Sequence, residues 1–454
     1  LGDTVSGGTI NGSGSLKLRA TRVGDDTLLS GIIRMVQEAQ GAKLPIQALV
    51  DRITLWFVPV VLAIAAVTVV IWVFVGPAPV MSYALVAGVS VLIIACPCAM
   101  GLATPTSIMV ATGRAAELGV LFRKGDALQS LSAAQMIAFD KTGTLTEGKP
   151  VLSRFVAAPG QDRSAVLRKV AAVESRAEHP LGTALVQAAQ DEGLVRGEAS
   201  AVQAQTGLGI AGHVEGTHVL IGSERLMQSE GIDLSGFDAA AMDAATLGET
   251  VFFAAIDSQA AAMICITDPV KPNAAAIVRS LHHQGVGVAM ITGDRAETAA
   301  AIANKIGIET VIAGVMPSGK VDAIADLQKT HGPVCFVGDG INDGPALAAA
   351  DVGVAIGTGT DVAIQSADVV LMSGDLSGVV TARHISKQAM RNIRQNLFWA
   401  FGYNTALVPV AAGVLFAPFG IMLSPMLAAG AMALSSVFVL TNALRLKGLR
   451  QAGL

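Results

Sequence analysis

The sequence predicts membrane-spanning helices joined to an α/β domain with a parallel sheet, into which a smaller α+β domain is inserted. Three observations predict it. No Asp, Glu, Lys or Arg occurs from Ile53 to Gly113, and none from Gln395 to Ala443. Residues 262–356 alternate short apolar runs (AMICI, GVGVAMI, TVIAG, PVCFVGD, VGVAI) with helical ones (AAAIVRSL, ETAAAIANKI, KVDAIADL). Strands alternating with helices form a parallel sheet with right-handed crossovers. About 151–258 interrupt that alternation with helices and strands of their own.

The first uncharged stretch, 61 residues long, holds two spans at about 53–75 and 81–104, hinged at Gly76-Pro77-Ala78-Pro79. A helix rising 1.5 Å per residue needs about 20 residues to cross roughly 30 Å of hydrocarbon. The second stretch divides near Pro418-Phe419-Gly420 into two more spans. Neither inter-span turn carries Lys or Arg, whereas Arg52, Arg114, Arg123 and Lys124 flank the first hairpin. Lys387, Arg391, Arg394, Arg445, Lys447 and Arg450 flank the second. The positive-inside rule then puts both ends, and everything between the hairpins, in the cytoplasm. Four spans are expected.

Composition agrees. Of 454 residues 52% are hydrophobic and 15% charged, against about 25% charged in soluble domains. Disorder is excluded, because it needs low hydrophobicity. Lys+Arg 31 against Asp+Glu 35 gives −4, so there is no basic field for nucleic acid. Four cysteines in this length make no disulfide framework. The chain begins at Leu1, without a cleavable signal peptide, and reads as a fragment. Residues 1–30, rich in Gly, Thr and Ser, read as the end of a small β domain.

Asp140-Lys141-Thr142-Gly143-Thr144-Leu145-Thr146 follows the apolar run MIAFD. A carboxylate at the C-terminal end of a parallel strand lies where open α/β sheets build their sites. Gly143 and the small threonines let backbone N–H groups turn towards an anion. Thr292-Gly293-Asp294 ends GVGVAMI, Lys320 opens a helix after Met316-Pro317, and Gly338-Asp339-Gly340-Ile341-Asn342-Asp343-Gly344-Pro345 follows PVCFV. Phosphoryl transfer needs positioning and charge neutralisation more than covalent chemistry. Asp140 can serve as nucleophile. Mg²⁺ prefers hard oxygen ligands, which Asp140, the Thr142 carbonyl and Asp339 can supply with Asp343 close by. Lys320 and Thr292 can hold phosphoryl oxygens as charge develops.

Cys96-Pro97-Cys98 falls inside the second span. Proline removes a donor and frees a carbonyl, so the helix can unwind there. Irregular backbone at membrane depth is tolerated where it lines a protein cavity. Two thiolates at such a break form a soft site suited to Cu(I), Ag(I) or Zn(II).

The DKTGT heptad resembles the phosphorylation motif of the P-type ATPases, and the motifs after it follow in that family's order. The resemblance extends over the chain and implies membrane α-helical spans plus a cytoplasmic α/β haloacid-dehalogenase-like phosphorylation domain with an inserted α+β nucleotide-binding domain. It divides the chain into an actuator remnant at 1–30 and a linking helix with the first hairpin at 31–113. The phosphorylation domain takes 114–150 and 261–386, the nucleotide-binding domain 151–260, and the second hairpin and tail 387–454. Related phosphatases place a second Asp two residues after the nucleophile, where this chain has Thr142, which favours a pump with a long-lived acyl phosphate. The family's Thr-Gly-Glu is absent, and would precede Leu1.

Within the insert, Glu174, Glu178-His179-Pro180-Leu181-Gly182 and Gly207-Leu208-Gly209 resemble the heavy-metal branch, where such residues receive adenine. Glycine lets a planar base approach the backbone, and His179 can stack or hydrogen-bond. Gly222-Ser223 departs from that branch's Gly-Asn. Thr142, Gly293 and Asn342 join the nucleotide site, and Asp294 the catalytic set, by the same resemblance. Cys-Pro-Cys marks this branch. Tyr403-Asn404 with Met432-Ala433-Leu434-Ser435-Ser436 resembles its copper(I) subgroup; the zinc subgroup has a Lys and an Asp in these spans. The resemblance thus implies an integral membrane protein of the plasma (inner) membrane that exports copper(I) with ATP and Mg²⁺. It receives copper from a chaperone, and Cys96, Cys98, Tyr403, Asn404, Met432 and Ser436 hold the ion. A zinc/cadmium pump and a membrane-tethered phosphohydrolase are the alternatives.

Overall fold

The computed structural model describes residues 17–20, 23, 24, 30, 37, 45–96, 98–176, 180–195, 197–205, 208–339, 343–357, 365–451 and 453. Most of 1–30 therefore lies outside the described residues, as do Glu178, His179, Gly207 and Asn342. The chain forms two compact units, Leu1–Ala134 with Ala367–Gly453, and Gln135–Ser366.

In the first unit, helix Pro45–Val75 turns at 76–79 and packs along helix Val80–Ile94. The indole of Trp72 stacks on Tyr83 at 5.9 Å and donates from Nε1 to the Ala412 carbonyl at 2.9 Å. Gly413, at φ +95°, lies where a Cβ would come 2.4 Å from that indole, so no larger residue fits. The second expected span is not one helix. It stops at Ile94, unwinds through Ala95 and Cys96, and resumes as Cys98–Glu117, as a proline in the ladder requires.

Three helical stretches among the described residues are long and apolar enough to cross a membrane: Pro45–Val75, Val80–Glu117 and Pro425–Gly448. Four were expected. The fourth, in helix Ser377–Ala411, carries no charge beyond Arg394 but bears Gln395, Asn396, Tyr403 and Asn404, polar side chains that lower its hydropathy without appearing in a charge count. The same 35-residue helix runs unbroken through 386–387, where the sequence had placed a domain boundary.

Its amides are not idle. Ser107 Oγ donates to Asn392 Oδ1 at 2.9 Å, Asn392 Nδ2 to the Asn442 carbonyl at 2.8 Å, and Asn442 Nδ2 to Asn396 Oδ1 at 2.8 Å. All four residues are buried, and they tie helix Cys98–Glu117 to helices Ser377–Ala411 and Pro425–Leu444.

The second unit holds five parallel strands in the order Val352–Ile356, Val334–Gly338, Met136–Asp140, Gly287–Ile291, Thr310–Ile312. Four of the five are apolar and buried because both faces are covered, while the edge strand Thr310–Ile312 is half-buried. The strand ending in Asp140 is central, with Asp140 level with Ile291 on one side and Phe139 with Val337 on the other. The ends carrying Asp140, Thr292 and Asp339 therefore converge.

A six-stranded antiparallel sheet follows, in the order Val151–Ala157, Gln259–Thr267, Thr250–Ile256, Thr217–Gly222, Gly209–Val214, Ala199–Gln205. Here one expectation is corrected. The run AMICI belongs to strand Gln259–Thr267 of this sheet, paired with Val151–Ala157, and not to the parallel sheet. It is buried on both faces, under helices Arg163–Glu174 and Pro180–Asp191 on one side and Glu224–Ser229 and Asp238–Thr246 on the other. A strand covered twice reads alike in either kind of sheet.

Candidate active site and metal path

Asp140 leaves its strand in extended conformation, and the chain then makes one tight turn over Lys141–Leu145. Thr142 and Gly143 depart from helical geometry there, Gly143 at φ +74°. A Cβ on Gly143 would lie 2.1 Å from Asp339 Oδ2. Glycine is thus required twice, for the left-handed backbone and for the approach of the Asp339 carboxylate.

Lys320, at the start of helix Lys320–His331, donates from Nζ to Asp140 Oδ1 at 2.7 Å and to Asp343 Oδ1 at 2.6 Å. Asp343, just before helix Gly344–Ala349, also accepts from the Asp339 N–H at 3.2 Å. Asp140, Asp343 and Lys320 are all buried. Burial, followed by the charge of Asp343, pushes the Asp140 carboxyl up to about 6, with Lys320 opposing the rise. Asp339 is raised by the same two causes. Burial works against the Lys320 ammonium, yet Asp140 and Asp343 hold it above its usual range.

Ligand oxygens of Asp140, Asp339 and Asp343 lie within 4.8 Å of one another. Three hard carboxylates converging beside one ammonium suit Mg²⁺. Thr292 is buried, and its Oγ1 accepts from the Asp294 N–H at 3.1 Å, fixing the Thr292-Gly293-Asp294 turn. Thr142 and Gly293 are exposed, as backbone meant to meet a ligand must be.

Sequence reasoning missed two partners of this loop, Asp268 and Lys271. Asp268 accepts from Thr146 Oγ1 at 2.5 Å and from the Lys149 N–H at 3.1 Å. Lys271 donates from Nζ to the Gly143 carbonyl at 3.0 Å and from its own N–H to the Leu145 carbonyl at 2.9 Å. Lys141 Nζ lies 2.6 Å from Asp294 Oδ2, a charge contact without hydrogen-bond alignment. Thr267-Asp268-Pro269-Val270-Lys271, directly after a strand, was the available signal.

In the insert, Glu174 ends its helix buried, and burial pushes its carboxyl up to about 7. A Cβ on Gly182 would come 2.8 Å from Glu174 Oε2, so these two parts of the expected adenine site are adjacent. Gly209 has a packing reason of its own. A Cβ there would fall 2.2 Å from the Ile221 carbonyl oxygen and 2.6 Å from Leu226 Cδ2.

In the helix break, Asn404 Nδ2 donates to the Cys96 carbonyl at 3.4 Å. The Asn404 side chain is buried and its Oδ1 has no hydrogen-bond partner among the described residues. Met432 is buried on helix Pro425–Leu444, and Ser436 Oγ donates to its carbonyl at 3.3 Å. Tyr403 is half-buried. Cys96 is disulfide-bonded, so its thiolate is a ligand only after reduction. The Cys98 side chain lies outside the described residues.

Residues 134–351 match the haloacid dehalogenase-like hydrolase family. The chain is 57% identical over 448 residues to copper-transporting ATPase 2 of Rhizobium meliloti, covering 99% of this chain and 54% of that protein. It is 49% identical over 449 residues to a silver exporting P-type ATPase of Salmonella typhimurium, covering 99% and 54%. It thus spans about half the length of the curated relatives it matches. A crystal structure of a zinc-transporting PIB-type ATPase in its E2.Pi state superposes with a TM-score of 0.77 at 33% identity, covering 93% of this chain and 68% of that one. The chain belongs to the PIB-type ATPases. As a member of that family it is an integral membrane protein, and the Asp140, Asp339 and Asp343 carboxylates meet at the C-terminal edge of its parallel sheet.

Proposed function

We propose that this chain carries the phosphorylation machinery and much of the ion path of an ATP-driven copper(I) exporter. Silver(I) is a second cargo, and the pump works through an aspartyl-phosphate in a plasma (inner) membrane with its catalytic units in the cytoplasm. The observation that carries the reading is the buried Asp140 carboxylate, fixed by Lys320 beside Asp339 and Asp343. Asp140 attacks the γ-phosphorus of ATP, one Asp140 oxygen forms the new P–O bond, and ADP leaves with its bridging oxygen. Lys320 gives up part of its hold on Asp140 to the incoming phosphoryl oxygens, and Thr292 steadies them. Asp140, Asp339 and Asp343 would hold Mg²⁺, which would supply neutralisation of developing phosphoryl charge. Thr142 offers no base for water at the acyl phosphate, so the intermediate persists.

The cargo follows from the helix break and the names of the relatives. Reduced thiols at Cys96 and Cys98, with the Met432 thioether, suit a soft monovalent ion. The spans from 53 to 113 and from 395 to 443 contain no Asp, Glu, His or Lys, so Zn(II), which usually takes four ligands often including His or carboxylate, is under-coordinated. The zinc pump remains the second reading, because the solved neighbour carries zinc. A copper chaperone as donor is part of the proposal.

Two measurements test it. In a full-length protein, Asp140→Asn should abolish acid-stable, hydroxylamine-sensitive labelling by γ-³²P ATP; persistent labelling places the phosphate elsewhere. Cu(I) and Ag(I) should stimulate labelling under reducing conditions more than Zn(II), and Cys96→Ser should remove the response. Vesicle uptake of Zn(II) faster than of Cu(I) would hand the assignment to the zinc reading.

A further inference from the structure

The first unit carries a cavity of about 640 Å³ between the end of helix Asp126–Ala133 and the middle of helix Ser377–Ala411. Three of its lining residues are cations, Lys387, Arg391 and Arg394, spaced by four and three residues and so on one helix face. Among the described residues no carboxylate lines it. Arg391 and Arg394 are exposed, and among the described residues neither makes an ion pair. Burial, then the nearby Arg383, hold the Lys387 ammonium below its usual range.

The cavity's place along the helix is the second clue. Arg394 is the last charge before the uncharged stretch, so the cations stand where water gives way to hydrocarbon. One turn further on, Phe398 and Trp399 complete the lining, 70% and 51% exposed. Trp399 meets Phe438 edge-on at 5.6 Å. Tryptophan favours the head-group level of a bilayer. From the other wall come Ser132 and the amide of Gln129, whose Oε1 accepts from the Ile46 N–H and whose NH₂ remains to donate.

We propose that this cavity binds the head group of an anionic phospholipid, its phosphate between Lys387, Arg391 and Arg394 and its chains along Phe398 and Trp399. A free phosphate could satisfy the arginines but has no use for the aromatic rim. Basic pockets at the cytoplasmic ends of spans select anionic head groups because the alternative neighbours are zwitterionic.

The test uses the whole chain in nanodiscs of phosphatidylcholine alone or mixed with phosphatidylglycerol, with retained lipid counted by native mass spectrometry after release into neutral detergent. Phosphatidylglycerol should be retained roughly tenfold over its share of the disc. Arg391→Gln with Arg394→Gln should bring retention down to that share, and Lys447→Gln should leave it unchanged. Trp399→Ala should lower retention of the lipid without creating a preference for phosphatidylcholine. Helicity by circular dichroism confirms that each variant folds. Equal retention in the double arginine variant overturns the proposal. So does displacement of the lipid by millimolar inorganic phosphate, which makes the cavity a simple anion site.

Discussion

In the second unit Lys320 joins Asp140 to Asp343 through buried charges, whereas in the membrane helices Ser107, Asn392, Asn396 and Asn442 do comparable work with none. Both clusters fasten segments far apart in sequence. The charged one sits at the C-terminal edge of the parallel sheet, and in the proposed function its carboxylates and ammonium are the working parts. The neutral one sits between helices that carry no charge for long stretches, where a full charge is costly and an amide gives up little. Glu174 is a third case, a buried acid with no cation beside it among the described residues, and burial raises its hold on its proton.

Removing Lys320 should have the largest effect. Lys320→Ala leaves Asp140, Asp339 and Asp343 facing one another without a counter-charge, and losing one partner of a buried pair costs about 3–5 kcal/mol. Phosphorylation should fall by at least about a thousandfold. Labelling within tenfold of wild type would mean that the ammonium is structural only.

Next in size is the reverse experiment in the membrane. Asn396→Asp puts a carboxylate into the buried amide cluster, where a charge left without a counter-ion costs about 3 kcal/mol, and thermal unfolding in detergent should show it. Should Asn396→Asp leave the midpoint unmoved, the cluster lies in water and the contrast with Lys320 collapses.

Glu174 gives a pH-dependent test. Its folded pKa of about 7 exceeds the ordinary value of 4.5, so the folded chain binds the proton more tightly. The stability it contributes is full below pH 4.5 and is lost as pH rises to about 7, by about 3 kcal/mol at most. Glu174→Gln should flatten that slope, and a slope of wild-type steepness in the variant assigns it to another group. The smallest effect is expected for Asn396→Ala, about 1 kcal/mol, since amide bonds between membrane helices are individually weak.

Asp140, Thr292 and Asp339 were legible as one edge because each stands at or just past an apolar strand's end, while Lys320 and Asp343 were legible only as residues at helix starts. Asp268 and Lys271 escaped notice. They act on the backbone of the Asp140 loop, and nothing in their own run announces which turn they clamp. The amide cluster escaped for a different reason: counting charges finds spans but treats Asn392, Asn396 and Asn442 as blanks. Misplacing AMICI came from burial itself, since a strand covered on both faces loses the alternation that reveals its partners.

The unbroken helix Ser377–Ala411 has a mechanical consequence. At 1.5 Å per residue it is a rod about 52 Å long, and Asn404 lies 27 residues along it. Its hydrogen-bond ladder has no proline before Pro409, so there is no soft joint between its first turn and the residue that touches the Cys96 carbonyl. Were the helix to turn as one body about its axis, the Asn404 amide would move against the Cys96 carbonyl it now touches.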